Sequence, residues 1–140
     1  MSDTEAITAV LYAYAEACDR RRWGSFDAVF DAQAEATYAG GTFLGVPAIV
    51  LYLRSKLDGC GTTQHLISNV RVRIDGDSAR SECALRAWHA GTGDQEGLTF
   101  EALGSYHDEL RCTPAGWLIT RRRLEIIASF GSPAVLRPAQ

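Results

Sequence analysis

Several familiar motifs are missing from this 140-residue sequence. Its four cysteines, at positions 18, 60, 83 and 112, form no CxxC pair and no Cys/His spacing typical of a zinc site. The chain also lacks the GxSxG nucleophile elbow, the phosphate-binding GxxxxGK loop and the dinucleotide-type GxGxxG loop. We therefore expect neither a metal nor a cofactor, and neither serine-hydrolase nor nucleotide-dependent chemistry.

Long apolar runs are missing as well. The longest, Val46 to Leu53, is too short to cross a bilayer. The first ten residues lack the basic start and continuous apolar stretch of a signal peptide. Together with widely spaced cysteines, these features predict a protein of the reducing cytoplasm with free thiols and no membrane partner.

An excess of positive charge is also missing, since 17 acidic residues outnumber 14 basic ones and the formal net charge is −3. The basic runs at 20–22 and 121–123 are too local for a phosphate-binding surface, so nucleic acid is not an expected partner. Length and a hydrophobic content of 46% fit one domain with one core. We place that domain at residues 1–131 and an irregular tail at 132–140.

Helical signals come first along the chain. Ser2 and Glu5 have the spacing of a capping box, and apolar residues then recur at helical intervals to about Asp19. A second, short helix is predicted over residues 23–30. A third begins near Pro47, which suits a first helical position, and ends near Gly59.

Strand signals dominate the rest of the chain. Period-two patterns and turn residues predict strands at 34–39, 63–74, 78–90, 98–112 and 117–129. Helices grouped early and long strands grouped late indicate an α+β fold. We expect a cone-shaped α+β barrel, with three N-terminal helices packed on a strongly curved mixed or antiparallel sheet.

Strand alternation sorts the polar side chains between the two faces. His89 falls on the apolar, interior side of its strand, and His107 falls on the solvent side. His65 shares a face with Asn69, but both faces of that strand are mixed, so a bulge is plausible. In the last strand, alternation does not decide which arginine is buried.

Asp19 and His65 are the first candidates for chemistry. A neutral imidazole accepts a proton near pH 7, and a carboxylate on its other nitrogen fixes the tautomer. Asp19 has a second interpretation, as an ion-pair partner of the adjacent arginines 20–22, and His65 could be a structural residue. Tyr14, Tyr38 and Asn69 could donate hydrogen bonds to a developing oxyanion, or simply pack in the core.

Four segments carry a resemblance to a known family. Residues 14–23 (YAEACDRRRW), 63–70 (TQHLISNV), 104–110 (GSYHDEL) and 117–124 (WLITRRRL) resemble the SnoaL-like branch of the nuclear-transport-factor-2-like superfamily. The subgroup is similar to scytalone dehydratase, bile-acid dehydratases and hexachlorocyclohexane dehydrochlorinase. The resemblance covers the chain to about Gly131.

The resemblance implies roles for particular residues. His65 would abstract a proton, Asp19 would orient it, and Arg123 would assist the departing anion. Tyr14 matches a tyrosine of the bile-acid dehydratases and stands where the dehydrochlorinase has a lysine, which favours an oxygen leaving group. The remaining candidates, expected to contact substrate, are Trp23, Tyr38, Asn69, His89 and Tyr106.

Two classes of function follow from this pattern. The first is a dehydratase-like lyase acting on an apolar cyclic substrate, or an isomerase or cyclase of the same fold. The second is a pocket that binds a polyketide-like or steroid-like ligand without chemistry. Exposed Trp88 and Leu103 suggest a homo-oligomer, a dimer or a trimer.

Overall fold

The computed structural model describes residues 1–140, beginning with helix α1 at Asp3–Asp19. The predicted capping box forms: the Ser2 hydroxyl accepts from the Glu5 amide, and the Glu5 carboxylate accepts from the Ser2 amide at 2.7 Å. The predicted apolar stripe, which includes Ile7, Leu11 and Tyr14, is buried. This helix therefore begins and ends where the sequence indicates.

The second helical segment is shorter than predicted. It is a 3₁₀ helix at Trp23–Ala28, and strand β1 (Phe30–Tyr38) starts at the residue where we expected the helix to end. Phe30 pairs with Ile119 of the last strand, so tertiary pairing overrides the local helical pattern there. A short strand β2 (Gly41–Leu44), which the sequence did not indicate, completes a hairpin with β1.

Helix α2 spans Val46–Leu57, with Pro47 in its first turn as predicted. Gly45 precedes it with φ of +83°, a backbone conformation that glycine adopts without strain. The long strands follow: β3 at Thr63–Asp75, β4 at Ser78–Ala90, β5 at Thr99–Thr113 and β6 at Gly116–Gly131. Strand β4 has its predicted range, β3 and β6 extend beyond theirs by one and three residues, and β5 is shifted by one residue.

The six strands form one sheet in the order β2-β1-β6-β5-β4-β3. Only the β1–β6 pair is parallel, so the sheet is mixed. It remains open, with β2 and β3 as its two edges, and the helices pack against one face. The predicted α+β architecture is thus confirmed.

Single-residue bulges in β3 and β6 decide which side chains face the helices. In β3 the register shifts between Ser68 and Arg71, and Asn69 takes a left-handed φ of 53°. In β6 Ile119 pairs with Leu110 but Arg121 pairs with Glu109, so one residue is inserted there, and a second is inserted between Ile126 and Ala128. Because one extra residue reverses side-chain alternation, each strand changes the parity of its interior residues part-way along.

The C-terminal tail packs on the end of α2. Residues 133–135 form a short 3₁₀ turn, and Val135 is fully buried. The Arg137 amide donates to the Lys56 carbonyl at 3.0 Å, and its carbonyl accepts from the Gly59 amide at 2.9 Å. No helix is both long and apolar enough to span a membrane.

Homo-oligomerisation stays a prediction. Trp88, one of the two residues that suggested it, is 38% exposed on the outer sheet face.

The bulge at Asn69 yields a stability prediction. Replacing Asn69 with Val should lower the free energy of unfolding by about 1–2 kcal/mol, because a left-handed backbone is costly for an L-residue and worst for a β-branched one. Asn69→Gly should be tolerated. The measurement is urea denaturation, with Arg71→Val as the control at an exposed strand position beside the bulge. Equal losses for the two valine variants would contradict the prediction.

Candidate active site

Asp19 and His65 meet where the end of α1 contacts β3. The Asp19 Oδ1 atom lies 2.7 Å from His65 Nδ1, and its Oδ2 atom accepts from the His65 backbone amide at 2.8 Å. The Thr63 hydroxyl donates to Oδ1 at 3.0 Å. Partial burial opposes ionisation of Asp19, but these hydrogen bonds outweigh it, and the pKa of Asp19 lies below its ordinary value.

The arginines that follow Asp19 do not neutralise its carboxylate. Arg20 and Arg22 both lie near Glu16, at 3.4 and 3.8 Å. Arg21, with a left-handed φ of 54°, turns back and donates to the Thr63 hydroxyl at 2.7 Å and to the Leu57 and Gly61 carbonyls. The ion-pair interpretation of Asp19 is therefore wrong. Arg21 instead bonds to the loop at Gly61 and to Thr63 of β3, and so stabilises the segment that contacts the Asp19 carboxylate.

An apolar cavity of about 350 Å³ lies between the helices and the sheet. His65 lines it, whereas Asp19 contacts His65 from outside the cavity, at a groove on the protein surface. Leu85 and Ala87 of β4 and Phe100 of β5 supply apolar wall. Four of the predicted residues also line the cavity: Tyr14, Tyr38, His89 and Tyr106.

His89 is a neutral group in this cavity. Its side chain is buried, and burial lowers its pKa to about 4. The Phe100 carbonyl, 2.9 Å from Nδ1, must accept the proton on that nitrogen. The Nε2 atom is then the unprotonated nitrogen, and the ring centroid lies 5.8 Å from that of His65.

The tyrosines form a hydrogen-bonded and aromatic cluster. The Tyr14 and Tyr38 hydroxyl oxygens are 2.9 Å apart, and the Tyr14 and Tyr106 rings pack edge to face. Burial raises the pKa of all three phenols, although the positive charge of Arg122 acts in the opposite direction. The phenols thus remain protonated donors well above neutral pH.

Arg122 is the arginine of the last strand that faces the interior, which corrects the assignment of Arg123. Its side chain is fully buried and forms two 2.8 Å hydrogen bonds to Asp108. Its guanidinium carbon lies 4.3 and 3.8 Å from the ring centroids of Tyr14 and Tyr106. Arg123 is exposed on the opposite sheet face, where it lines an arginine-rich groove and not the apolar cavity.

Two further predictions of cavity contact are wrong. Asn69 is exposed at the β3 bulge, which carries it away from the face that holds His65. Trp23 stacks on Phe26 and donates from Nε1 to Asp58 at 2.9 Å, outside the cavity lining. His107 lies on the outer face as predicted, with its Nε2 atom 3.2 Å from Glu125.

Sequence reasoning missed Arg122, Tyr52 and Lys56. Asp108 shares the interior face of β5 with apolar residues, and a buried carboxylate requires a cation on a neighbouring strand, which was a usable signal for Arg122. Lys56 comes three residues after Leu53 and immediately before Leu57, so helical spacing already places it beside the buried stripe of α2. Four residues of α2 line the cavity: Tyr52, Leu53, Lys56 and Leu57.

Comparison with known proteins identifies the family. A family model described as a SnoaL-like domain matches residues 1–123. This chain belongs to that family. Uncharacterized protein Rv2910c of Mycobacterium tuberculosis is 34% identical over 124 residues, which are 87% of this chain and 84% of the relative.

Solved structures of other proteins share the fold. One, provisionally assigned as a scytalone dehydratase of Novosphingobium aromaticivorans, is 20% identical with a TM-score of 0.82, covering 99% of this chain and 97% of that one. Hexachlorocyclohexane dehydrochlorinase LinA-type3 of Novosphingobium barchaimii is 14% identical with a TM-score of 0.80, covering 91% and 88%. At these identities the likeness establishes the nuclear-transport-factor-2-like fold, and the family resemblance read from the sequence is confirmed.

The buried pair makes Arg122 a stability determinant. Arg122→Met should lower the free energy of unfolding by about 3–5 kcal/mol, because it leaves the Asp108 charge buried without a partner. The neighbouring Arg123→Met is the matched control and should change the value by less than about 0.5 kcal/mol. Chemical denaturation of both variants measures the difference. A larger loss for Arg123→Met would reverse the assignment.

The Asp19 contacts should appear in the pH dependence of stability. The folded-state pKa of Asp19 is depressed, so its contribution is present above its unfolded value of about 4 and is lost as pH falls through the folded pKa. The free-energy difference between the natural protein and Asp19→Asn should therefore be constant near neutral pH and shrink below about pH 4. Denaturation series between pH 7 and pH 3 test this, and a difference that does not shrink would contradict it.

Proposed function

We propose that this protein is a dehydratase-like lyase in which His65 abstracts a proton from a carbon next to a carbonyl and water is then lost. The observation that carries the proposal is the 2.7 Å contact between Asp19 and His65 Nδ1 beside an apolar cavity that His65 lines. The matched family and the dehydratase among the structural neighbours support the same class.

The dyad geometry favours His65 as the base. Because Asp19 is ionised, the proton between the two groups resides on His65 Nδ1, and Nε2 carries the free lone pair. Proton uptake at Nε2 makes an imidazolium, which the carboxylate at 2.7 Å stabilises. The Asp19 carboxylate bonds to both the backbone amide and the ring of His65, which also fixes the ring orientation.

The phenols suit the role of electrophile. Tyr14 and Tyr38 remain neutral donors, and a carbonyl oxygen that gains negative charge in the cavity would be stabilised by such a donor in place of water. Tyr106 lies beside Tyr14 and lines the same space. His89, being neutral, adds a hydrogen-bond acceptor rather than a second cation.

The proposed reaction balances without an external reactant. The C–H bond breaks, the proton moves to His65 Nε2, and the electron pair forms an enolate held by a phenol. The enolate then re-forms the carbonyl, the C–O bond at the β-carbon breaks, and the imidazolium returns its proton to the leaving hydroxyl as water. Return of the proton to a different carbon would instead give an isomerase, which shares the enolate and the same groups.

The cavity sets the scale of the substrate. About 350 Å³ with mostly apolar walls fits one or two fused rings and is at the small end of ligand sites. Leu85, Ala87 and Phe100 would contact the ring carbons, while the tyrosines and histidines contact its oxygen atoms. The proposed partner is therefore a small apolar cyclic molecule that bears a carbonyl.

Hydrogen–deuterium exchange tests proton abstraction before the substrate is identified. A cyclic ketone such as 2-tetralone, incubated with the protein in D₂O, should exchange its α-hydrogens faster than in buffer. His65→Gln should reduce the catalysed rate by about 10²–10⁴-fold, because general-base assistance contributes on that order. NMR integration of the α-hydrogens gives the rate.

His107→Gln is the matched control, since that histidine lies on the outer sheet face. It should leave exchange unchanged. Undiminished exchange in a folded His65→Gln variant would refute the proposal. Incubation with a β-hydroxy ketone and with a β,γ-unsaturated ketone then separates lyase from isomerase, since only the first reaction changes the mass of the product.

A further inference from the structure

We propose that Lys56 makes the cavity selective for a substrate that carries a carboxylate, whose single negative charge the lysine ammonium binds. This rests on the proposed function to the extent that the cavity is the substrate site. It adds a chemical class that neither the dyad nor the family implies: an apolar cyclic carbonyl compound that is also an acid.

Lys56 occupies an unusual place for its residue type. The chain has fourteen lysine and arginine residues, and Lys56 is its only lysine. It lies in the last turn of α2, lines the apolar cavity and is only partly exposed. Its ammonium nitrogen lies 5.9 Å from the ring centroid of Tyr52, which lines the same cavity.

The Lys56 ammonium has no carboxylate within 4 Å, unlike its neighbour on the same turn. Arg54 pairs with Asp58 at 2.8 Å, and Asp58 also accepts from the Trp23 indole. Asp19, outside the cavity at the end of α1, is engaged by His65 and Thr63. The nearby acids are thus already bonded, and the lysine charge is left for a ligand.

A cation near a helix C-terminus is favourable in its own right, through the helix dipole. That interaction does not require the side chain to line an apolar cavity, and Arg54 already supplies a cation to the same turn. An unpaired ammonium beside apolar walls interacts more strongly with an anion than a solvated one does, because the surrounding medium screens the attraction less. The cavity therefore favours an anionic ligand over a neutral one of the same shape.

The charge count favours a carboxylate over a phosphate. Lys56 is the only residue lining the cavity that is positively charged near pH 7 when the imidazoles are neutral. One ammonium matches one negative charge, whereas a phosphate dianion would leave a second charge among apolar side chains. A carboxylate held by α2 would also orient the ring, with the reacting carbon directed to the β3 side where His65 lies.

A matched ligand pair tests this inference by isothermal titration calorimetry. The probes are 2-naphthoate and 2-naphthamide, which have nearly the same shape and differ in charge. The natural protein should bind the acid about tenfold or more tightly than the amide. Lys56→Gln should bring the two affinities within about threefold of each other by weakening the acid alone.

Arg54→Gln is the control, since it removes the same charge from the same turn outside the cavity lining. It should keep the preference for the acid. A second readout covers the case in which Lys56→Gln fails to fold: ¹³C-dimethylation of the single lysine keeps its charge, and its resonance should shift with 2-naphthoate and not with 2-naphthamide.

Equal binding of the two probes, preference that survives in Lys56→Gln, or binding of neither probe would overturn the inference. These outcomes are separable from failure of the proposed reaction. Ketone exchange that depends on His65 could persist without any preference for acids, and acid-selective binding could persist in a protein that exchanges no α-hydrogens.

Discussion

The carboxylate of Asp19 is the contact on which the geometry of the site depends. It bonds to the backbone amide and the ring of His65 and to the Thr63 hydroxyl, so it joins the end of α1 to the start of β3. The end of a helix is an unfavourable place for a negative charge, since the helix dipole is negative there. The three hydrogen bonds offset that cost, and they also fix the tautomer that a base at His65 would need.

Much of this arrangement was predictable from local patterns. The capping box, the α1 stripe and the long strands are read from spacing, and strand alternation places His89 and Tyr106 inside. Alternation alone could not predict that the side chains change sheet face after a bulge. The residue inserted in β6 moves the interior position to Arg122, and the one in β3 removes Asn69 from the His65 face. Arg123, to which the resemblance gave a role in the site, is therefore one residue past the arginine that faces the interior.

The buried pair of Arg122 and Asp108 gives the cavity its polar end without exposing a charge to it. The guanidinium lies against the faces of Tyr14 and Tyr106, and its charge is compensated by Asp108 behind it. The phenols above it remain neutral because burial disfavours their ionised form more than the arginine favours it. The result is a set of donors that can bind an oxyanion without themselves being one.

The charged groups at the two ends of the cavity therefore differ in whether they have a partner of opposite charge. At the sheet, each charged group has a bonded partner: Arg122 has Asp108, and Asp19 has His65. At α2, the lysine ammonium lies 5.9 Å from the Tyr52 ring centroid but has no carboxylate partner. A positive charge that faces a ligand-sized space without an opposite charge beside it is available to an anionic ligand. The same reasoning that makes Asp108 a signal for Arg122 makes Lys56 a signal for an acidic substrate.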